Sequence, residues 1–158
     1  MQALFYSTRG TCDRLRTACL IVDEHNHLIS AGYNGSLPGA DHCDDVGHLM
    51  IDGHCMRTLH AEENAVLHST KSLRGATAYM LVSPCLLCTK KLLSVGIKKI
   101  ICAEEFKNIQ GRDVGAKFIK NLLAKNNVPI KFINIDFTEK LNQFTQILKS
   151  PGGFLRSN

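Results

Sequence analysis

Tryptophan is absent, and phenylalanine and tyrosine bring the aromatic content to only 6%. So sparse a set offers no obvious stacking platform for a long nucleic-acid strand. No uninterrupted apolar stretch approaches the length of a membrane-spanning helix. The opening MQALFYSTRG holds a few apolar side chains but no clear signal-peptide pattern. A membrane partner is therefore not expected, and a cytoplasmic location is the default. The formal charge of +5 is not gathered into one basic block; lysines such as Lys90, Lys91, Lys98 and Lys99 read as solvated helix positions. That spread argues against a polynucleotide partner, although the positive balance suits a phosphorylated small molecule. Seven cysteines, an odd number, exclude a framework in which every thiol is paired within the chain. Neither an internal repeat nor a second-domain boundary is visible. Residues 1–158 are read as one domain with a sizeable core and an irregular Pro-Gly-Gly tail at 151–158.

What is present is an alternation of short patterns. ACLIVD at 18–23 and LISAGY at 28–33 read as two strands of a hairpin. Residues 34–59 then form a long insert, rich in Gly, His, Asp and Cys and poor in periodicity. A loop of that length is usually functional, or is held by something other than apolar packing. HAEENAVLHSTKSL, from His60 to Leu73, has a helical pattern of good helix formers, and TAYMLVS at 77–83 reads as a buried strand. A helix over Cys85 to Val95 is stopped by Gly96, and IKKIIC at 97–102 is the next strand. A helix from near Asp113, a strand in PIKFINI and a terminal helix at 138–149 complete the order. With part of a helix before the first strand, β-β-α-β-α-β-α-β-α predicts an α/β fold of three α/β/α layers around a central mixed sheet.

The chemistry concentrates at two helix starts. Pro84-Cys85-Leu86-Leu87-Cys88 opens a helix directly after a strand, and positions 85 and 88 lie one turn apart. Unpaired N–H groups at a helix start favour thiolates. Alone, this CxxC is equally a redox pair or an inert cap. His60-Ala61-Glu62 changes the balance, because His60 also begins a helix after an irregular segment. Should the two starts meet at one sheet edge, His60, Cys85 and Cys88 give three zinc ligands and leave the fourth position for water. Glu62, two residues beyond the ligand, can then move protons without binding the metal. His-x-Glu with Pro-Cys-x-x-Cys is a signature of zinc-dependent hydrolytic deaminases.

GYNG at 32–35, PGADHCDDVGH at 38–48, CMRTLHAEENAVLH at 55–68 and SPCLLC at 83–88 give the chain a family resemblance. It resembles the deoxycytidylate deaminases of the cytidine and deoxycytidylate deaminase superfamily, from TRGTCDR at 8–14 to the helix near Asp113. The long insert points to that branch. The resemblance implies a cytidine-deaminase-like fold, conversion of dCMP to dUMP and ammonia, zinc on His60, Cys85 and Cys88, and Glu62 as proton shuttle; the alternatives are deamination of cytidine, deoxycytidine, dCTP or an RNA base, or a non-catalytic zinc-binding regulatory module. It further implies that Asn34 contacts the sugar and that the Ala61 backbone helps fix the pyrimidine. Asn34 alternatively only shapes the Tyr-Asn-Gly turn. The family also implies a homo-oligomer, often a hexamer, with dCTP and dTTP as effectors and Mg2+ accompanying the triphosphate.

A nucleotide monophosphate needs a phosphate clamp, for which Arg57, Arg14 and Arg16 are the candidate donors. Within the insert, His42, Cys43, His48, His54 and Cys55, joined by Cys12, are candidates for a second, structural zinc that would order a loop with little apolar content. The alternative is a loop held by side-chain hydrogen bonds. Cys19 and Cys102 sit in or beside apolar runs and read as buried free thiols. Two departures stand out. The helix expected before TRGTC is largely missing, and Cys102 and Phe106 occupy positions where this branch often has tyrosines. Phe106 can stack on a substrate but cannot donate a hydroxyl hydrogen bond.

Overall fold

A computed structural model describes residues 1–52, 54–105 and 113–150, with the side chains of His54, Asp113 and Val114 left aside. In chain order the elements are α1 (Gln2–Ser7), β1 (Ala18–Val22), β2 (Leu28–Tyr33), β3 (Gly35–Ser36), α2 (Cys43–Val46), β4 (Met50–Ile51), β5 (His54–Cys55) and β6 (Thr58–Leu59). They continue with α3 (Ala61–Leu67), β7 (Thr77–Val82), α4 (Leu86–Ser94), β8 (Lys99–Glu104), α5 (Asp113–Lys125), β9 (Ile130–Phe132) and α6 (Phe137–Lys149). The main sheet has the order β2-β1-β7-β8-β9. β1 is antiparallel to β2 and β7, whereas β7, β8 and β9 are mutually parallel, so the sheet is mixed as the alternation requires.

Residues on β1 alternate between two faces. Cys19 and Ile21 enter the core with Ala61 and Ala65 of α3, Ala78 and Met80 of β7, Leu92 of α4 and Leu123 of α5. Leu20 points the other way, beside Phe5 and Tyr6 of α1. Helix α6 reaches α1 through Phe5 and Phe144, whose ring centroids are 5.2 Å apart. Helices therefore cover both faces, giving the α/β architecture anticipated for a cytidine-deaminase-like chain. Cys19 and Cys102 are fully buried core thiols, and burial pushes both pKa values up, Cys102 to about 12. Among the described residues, no helix is long and apolar enough to cross a membrane.

The boundaries differ from the sequence reading in instructive places. α3 stops at Leu67, well short of Leu73. Beyond it Ser69 Oγ donates to Lys71 O at 2.8 Å, and Ser72 Oγ accepts from the Arg74 N–H, so hydroxyls compete with the helix for backbone groups. Leu73 is buried all the same, by the turn leading into β7. The last parallel strand is confined to Ile130–Phe132. A short helix does precede the TRGTC segment, as α1. The insert gains small elements of its own, since β3 pairs with β6 and β4 with β5. Residues 151–158 and Phe106 lie outside the described residues.

Candidate active site and metal centres

His60 and Cys85 are each the last extended residue before a helix, with φ/ψ of −71/156° and −68/172°. An N-cap with that backbone projects its side chain beyond the helix start, next to the unpaired N–H groups. The two starts meet. His60 Nδ1 lies 3.6 Å from Cys85 Sγ and 3.4 Å from Cys88 Sγ. A tetrahedral zinc with bonds of about 2.3 Å to sulfur and about 2.0–2.1 Å to nitrogen sets N···S separations of about 3.5–3.6 Å. The donor set and its spacing thus fit zinc, and Nδ1 is the His60 nitrogen that faces both sulfurs.

The three donors share protons among themselves, and a metal would have to displace those on His60 and Cys88. Hydrogen bonding from the Cys88 thiol, and then from His60, holds Cys85 as a thiolate with its pKa down to about 4. The same interaction, together with burial, pushes Cys88 up, because a second thiolate is resisted beside the first. The Cys85 thiolate raises His60 to about 9. Glu62, at the second position of α3, is only 7% exposed, and its carboxyl lies against Cys88. Burial raises its pKa. A buried carboxyl beside the three donors, yet outside the donor cluster, is placed to exchange protons there rather than to bind metal.

A second cluster forms in and beside the insert. One donor atom each from Cys12, Cys43, His48 and Cys55 lies within 4.8 Å of the others. Cys43 and Cys55 sulfurs are 3.5 Å apart, and His48 Nδ1 lies 3.7 Å from Cys12 Sγ and 3.9 Å from Cys55 Sγ. Burial pushes Cys43 to about 12. Burial acts upward on Cys55 too, but hydrogen bonds from the Arg57 N–H, Cys43 and His48 bring it down to about 7. Four protein donors make a closed set, the mark of a structural site.

Asp13 was not singled out in the sequence, yet its Oδ1 is 3.1 Å from His48 Nε2. That bond turns Nδ1 toward the sulfurs, the usual second partner of a ligating histidine. Its adjacency to Cys12 in TRGTCDR was the available signal. His42, offered as a ligand, stays outside the cluster: it caps α2, and its Nδ1 is buried without a hydrogen-bond partner among the described residues. The His54 side chain lies outside the described set.

The other expected site residues have structural tasks. Asn34 is 6% exposed; its Oδ1 accepts from the Thr17 N–H at 2.8 Å and its Nδ2 donates to Leu15 O at 2.7 Å. Its carbonyl also accepts from the Thr11 N–H, so Asn34 knots together the segment that carries Cys12. Arg16 pairs with Asp44 at 2.9 Å and donates to Gly10 O. Arg57 donates through Nε to Gly47 O at 3.0 Å, and Arg14 lies against Met50 Sδ. All three arginines thereby fix the insert. Ala61, 1% exposed, packs its backbone onto Gly32 of β2. Glu63 is the other residue that the sequence reading passed over. Its Oε2 accepts from the His60 N–H at 3.1 Å, three residues away, a capping-box spacing with histidine as the cap.

Comparisons with known proteins agree with this geometry. Residues 1–104 match the family model described as the cytidine and deoxycytidylate deaminase zinc-binding region. ComE operon protein 2 of Bacillus subtilis (strain 168) is 43% identical over 109 residues, 67% of this chain but only 57% of that protein. The deoxycytidylate deaminase of Enterobacteria phage T4 is 29% identical, over 78% of this chain and 85% of the phage enzyme. A crystal structure of dCMP deaminase from the cyanophage S-TIM5, in complex with dCMP and dUMP, shares the fold with a TM-score of 0.66. It is 24% identical and covers 84% of this chain and 91% of its own.

Proposed function

The chain belongs to the cytidine and deoxycytidylate deaminase zinc-binding family, and on that premise we propose that it hydrolyses dCMP to dUMP and ammonia. One observation carries the proposal: His60 Nδ1 and the sulfurs of Cys85 and Cys88 converge at zinc-ligand spacing beside the buried Glu62 carboxyl. His60, Cys85 and Cys88 would hold zinc, which would supply a water acidified enough to be deprotonated near neutral pH. The Glu62 carboxylate would take a proton from the attacking water as the oxygen adds to C4 of the pyrimidine, and would hand it to N3. A second transfer through the same carboxyl carries the proton of the new C4 hydroxyl to the 4-amino group; the C4–N bond breaks, ammonia leaves and the C4 carbonyl of dUMP forms. Buried at the second position of α3, Glu62 keeps its carboxyl directed at the donor cluster through both transfers.

The likeness to the phage T4 deoxycytidylate deaminase and the long insert support the monophosphate as substrate. Arg57, three residues before His60, is the proposed phosphate donor, since its bond to Gly47 O uses only Nε; both side-chain ends of Asn34 are spent on Thr17 and Leu15, so the sugar contact is not part of the proposal. A panel of dCMP, CMP, deoxycytidine, cytidine and dCTP, followed by ammonia release from zinc-loaded protein, tests this. dCMP is expected to give the highest kcat/KM, and Arg57→Ala to raise KM for dCMP about tenfold without a matching change for deoxycytidine. A preference for deoxycytidine in the parent protein defeats the phosphate reading.

We further propose that Cys12, Cys43, His48 and Cys55 hold a second, structural zinc, oriented through Asp13. The protein should carry about two zinc ions per chain, and Cys43→Ser about one, with a lowered melting temperature and the triad zinc retained. One zinc per chain in the parent protein would refute the second site.

A further inference from the structure

The ligands proposed above come from two helices, with Cys85 25 residues after His60 in the chain. Nothing covalent sets the distance between the two helix starts, yet a metal site tolerates ligand errors of only about 0.2 Å. We propose that Glu63 and Lys91 are positioning residues that fix this spacing. The inference rests on the zinc reading of His60, Cys85 and Cys88.

The path between the helices is short. Glu63 Oε2 accepts the His60 N–H at 3.1 Å, so the carboxylate grips the backbone of the ligand itself. Its other oxygen, Oε1, pairs with Lys91 Nζ of α4. Lys91 follows Cys88 by three residues, so both lie on one face of α4, one turn apart. The Glu63 carboxylate thus joins the cap of α3 directly to the ligand-bearing face of α4. Below it, α3 is fixed to β2 by Asn64 Nδ2 donating to Tyr33 O at 2.7 Å and by Ser30 Oγ donating to Ala65 O at 2.5 Å. Those bonds seat α3 on the sheet, whereas the Glu63–Lys91 bridge sets α3 against α4.

Exposure separates this role from ordinary stabilisation. The Lys91 side chain is 42% exposed and that of Glu63 21%, and a pair so open to water contributes little to global stability. Its effect should therefore appear in the geometry and affinity of the metal site rather than in the melting of the metal-free protein. Lys91 also adds a positive charge next to a cluster whose two sulfurs become anionic when they bind metal.

Three variants of the full chain test the proposal: Lys91→Met, Lys91→Arg and Glu63→Gln. Glutamine keeps an acceptor for the His60 N–H and loses the ion pair. Cobalt affinity of the triad is measured by chelator competition, with the thiolate-to-cobalt absorption band reporting geometry. Cys12, Cys43, His48 and Cys55 are untouched and serve as an internal reference. Lys91→Met and Glu63→Gln should each weaken triad binding about 10–100-fold and shift the band. Their double variant should be no weaker than either alone, and Lys91→Arg should recover most of the loss. Unchanged affinity and band in Lys91→Met overturn the clamp, as does an equal loss of metal-free melting temperature in Lys91→Met and Lys91→Arg. Parent protein that binds no cobalt at the triad overturns the zinc reading instead.

Discussion

Glu62→Gln is expected to lower kcat for dCMP by about 10²–10⁴-fold, the range that a positioned general acid–base supplies, while zinc content stays at the parent level. Glutamine matches the shape of glutamate, so α3 and the cap at His60 should persist. The three donors do not include Glu62, which leaves no reason for metal to be lost. What disappears is the ability to carry a proton. An amide cannot take one from water, pass it to N3 and then deliver one to the leaving amine. Burial makes the substitution more telling, because a side chain only 7% exposed has little bulk water to take over the transfers. Zinc by atomic absorption and ammonia release, measured on the same preparation, make the check. Parent-level turnover in a zinc-replete variant would show that Glu62 is not the shuttle.

Gly32→Ala should be nearly as damaging, although Gly32 touches no proposed ligand. A Cβ at Gly32 would collide with Ala61 O and Ala65 N and would lie 2.9 Å from Asn64 C. These are backbone atoms of α3, so no side-chain rotation relieves the clash. Replacing glycine elsewhere gains about 0.4–1 kcal/mol by restricting the unfolded chain. Overpacking a tight site costs about 1–3 kcal/mol and sometimes more, and a backbone collision belongs at the upper end. The clash wins. α3 must lift from β2 and carry His60 and Glu62 with it, so destabilisation should come with loss of triad zinc. Gly115→Ala is the control: the added Cβ meets nothing within 4 Å, and helix α5 should gain about 0.5–1 kcal/mol. Denaturant melts with zinc analysis separate the cases. A Gly32→Ala protein of parent stability with full triad zinc would contradict the close approach.

The active-site half of the molecule was legible because its signals are local. His60 and Cys85 each follow an extended residue pattern and precede good helix formers, and CxxC places two sulfurs one turn apart. The succession of elements and the mixed character of the sheet followed from alternation, whereas the strand order β2-β1-β7-β8-β9 came only with the structure. Less legible was everything that depends on distant partners. Asp13 acquires meaning only when His48 is brought to it, 35 positions on. The same is true of Glu63 and Lys91, whose charges look like ordinary solvated helix positions. Gly32 reads as one more residue of the LISAGY strand, and nothing local shows that it must be glycine because a helix backbone rests on it. His42 was an equal candidate with Cys43 by composition, and only the start of α2 separates the two. The extension of α3 to Leu73 failed because serine hydroxyls in STKS captured backbone groups that helical periodicity does not consider.

The arrangement around Cys12 has a consequence best put in polymer terms. An ion shared by Cys12 and His48 would cross-link the chain across a separation of 36 residues. Loop closure of that size removes unfolded-chain entropy worth about 4 kcal/mol in the chain-entropy treatment used for disulfides. The enclosed loop contains β1 and β2, the strands on which α3 rests, and it is knotted at its neck by Asn34. A metal at the periphery would therefore act as a topological staple: the conformations it forbids are those in which the platform beneath His60 comes apart.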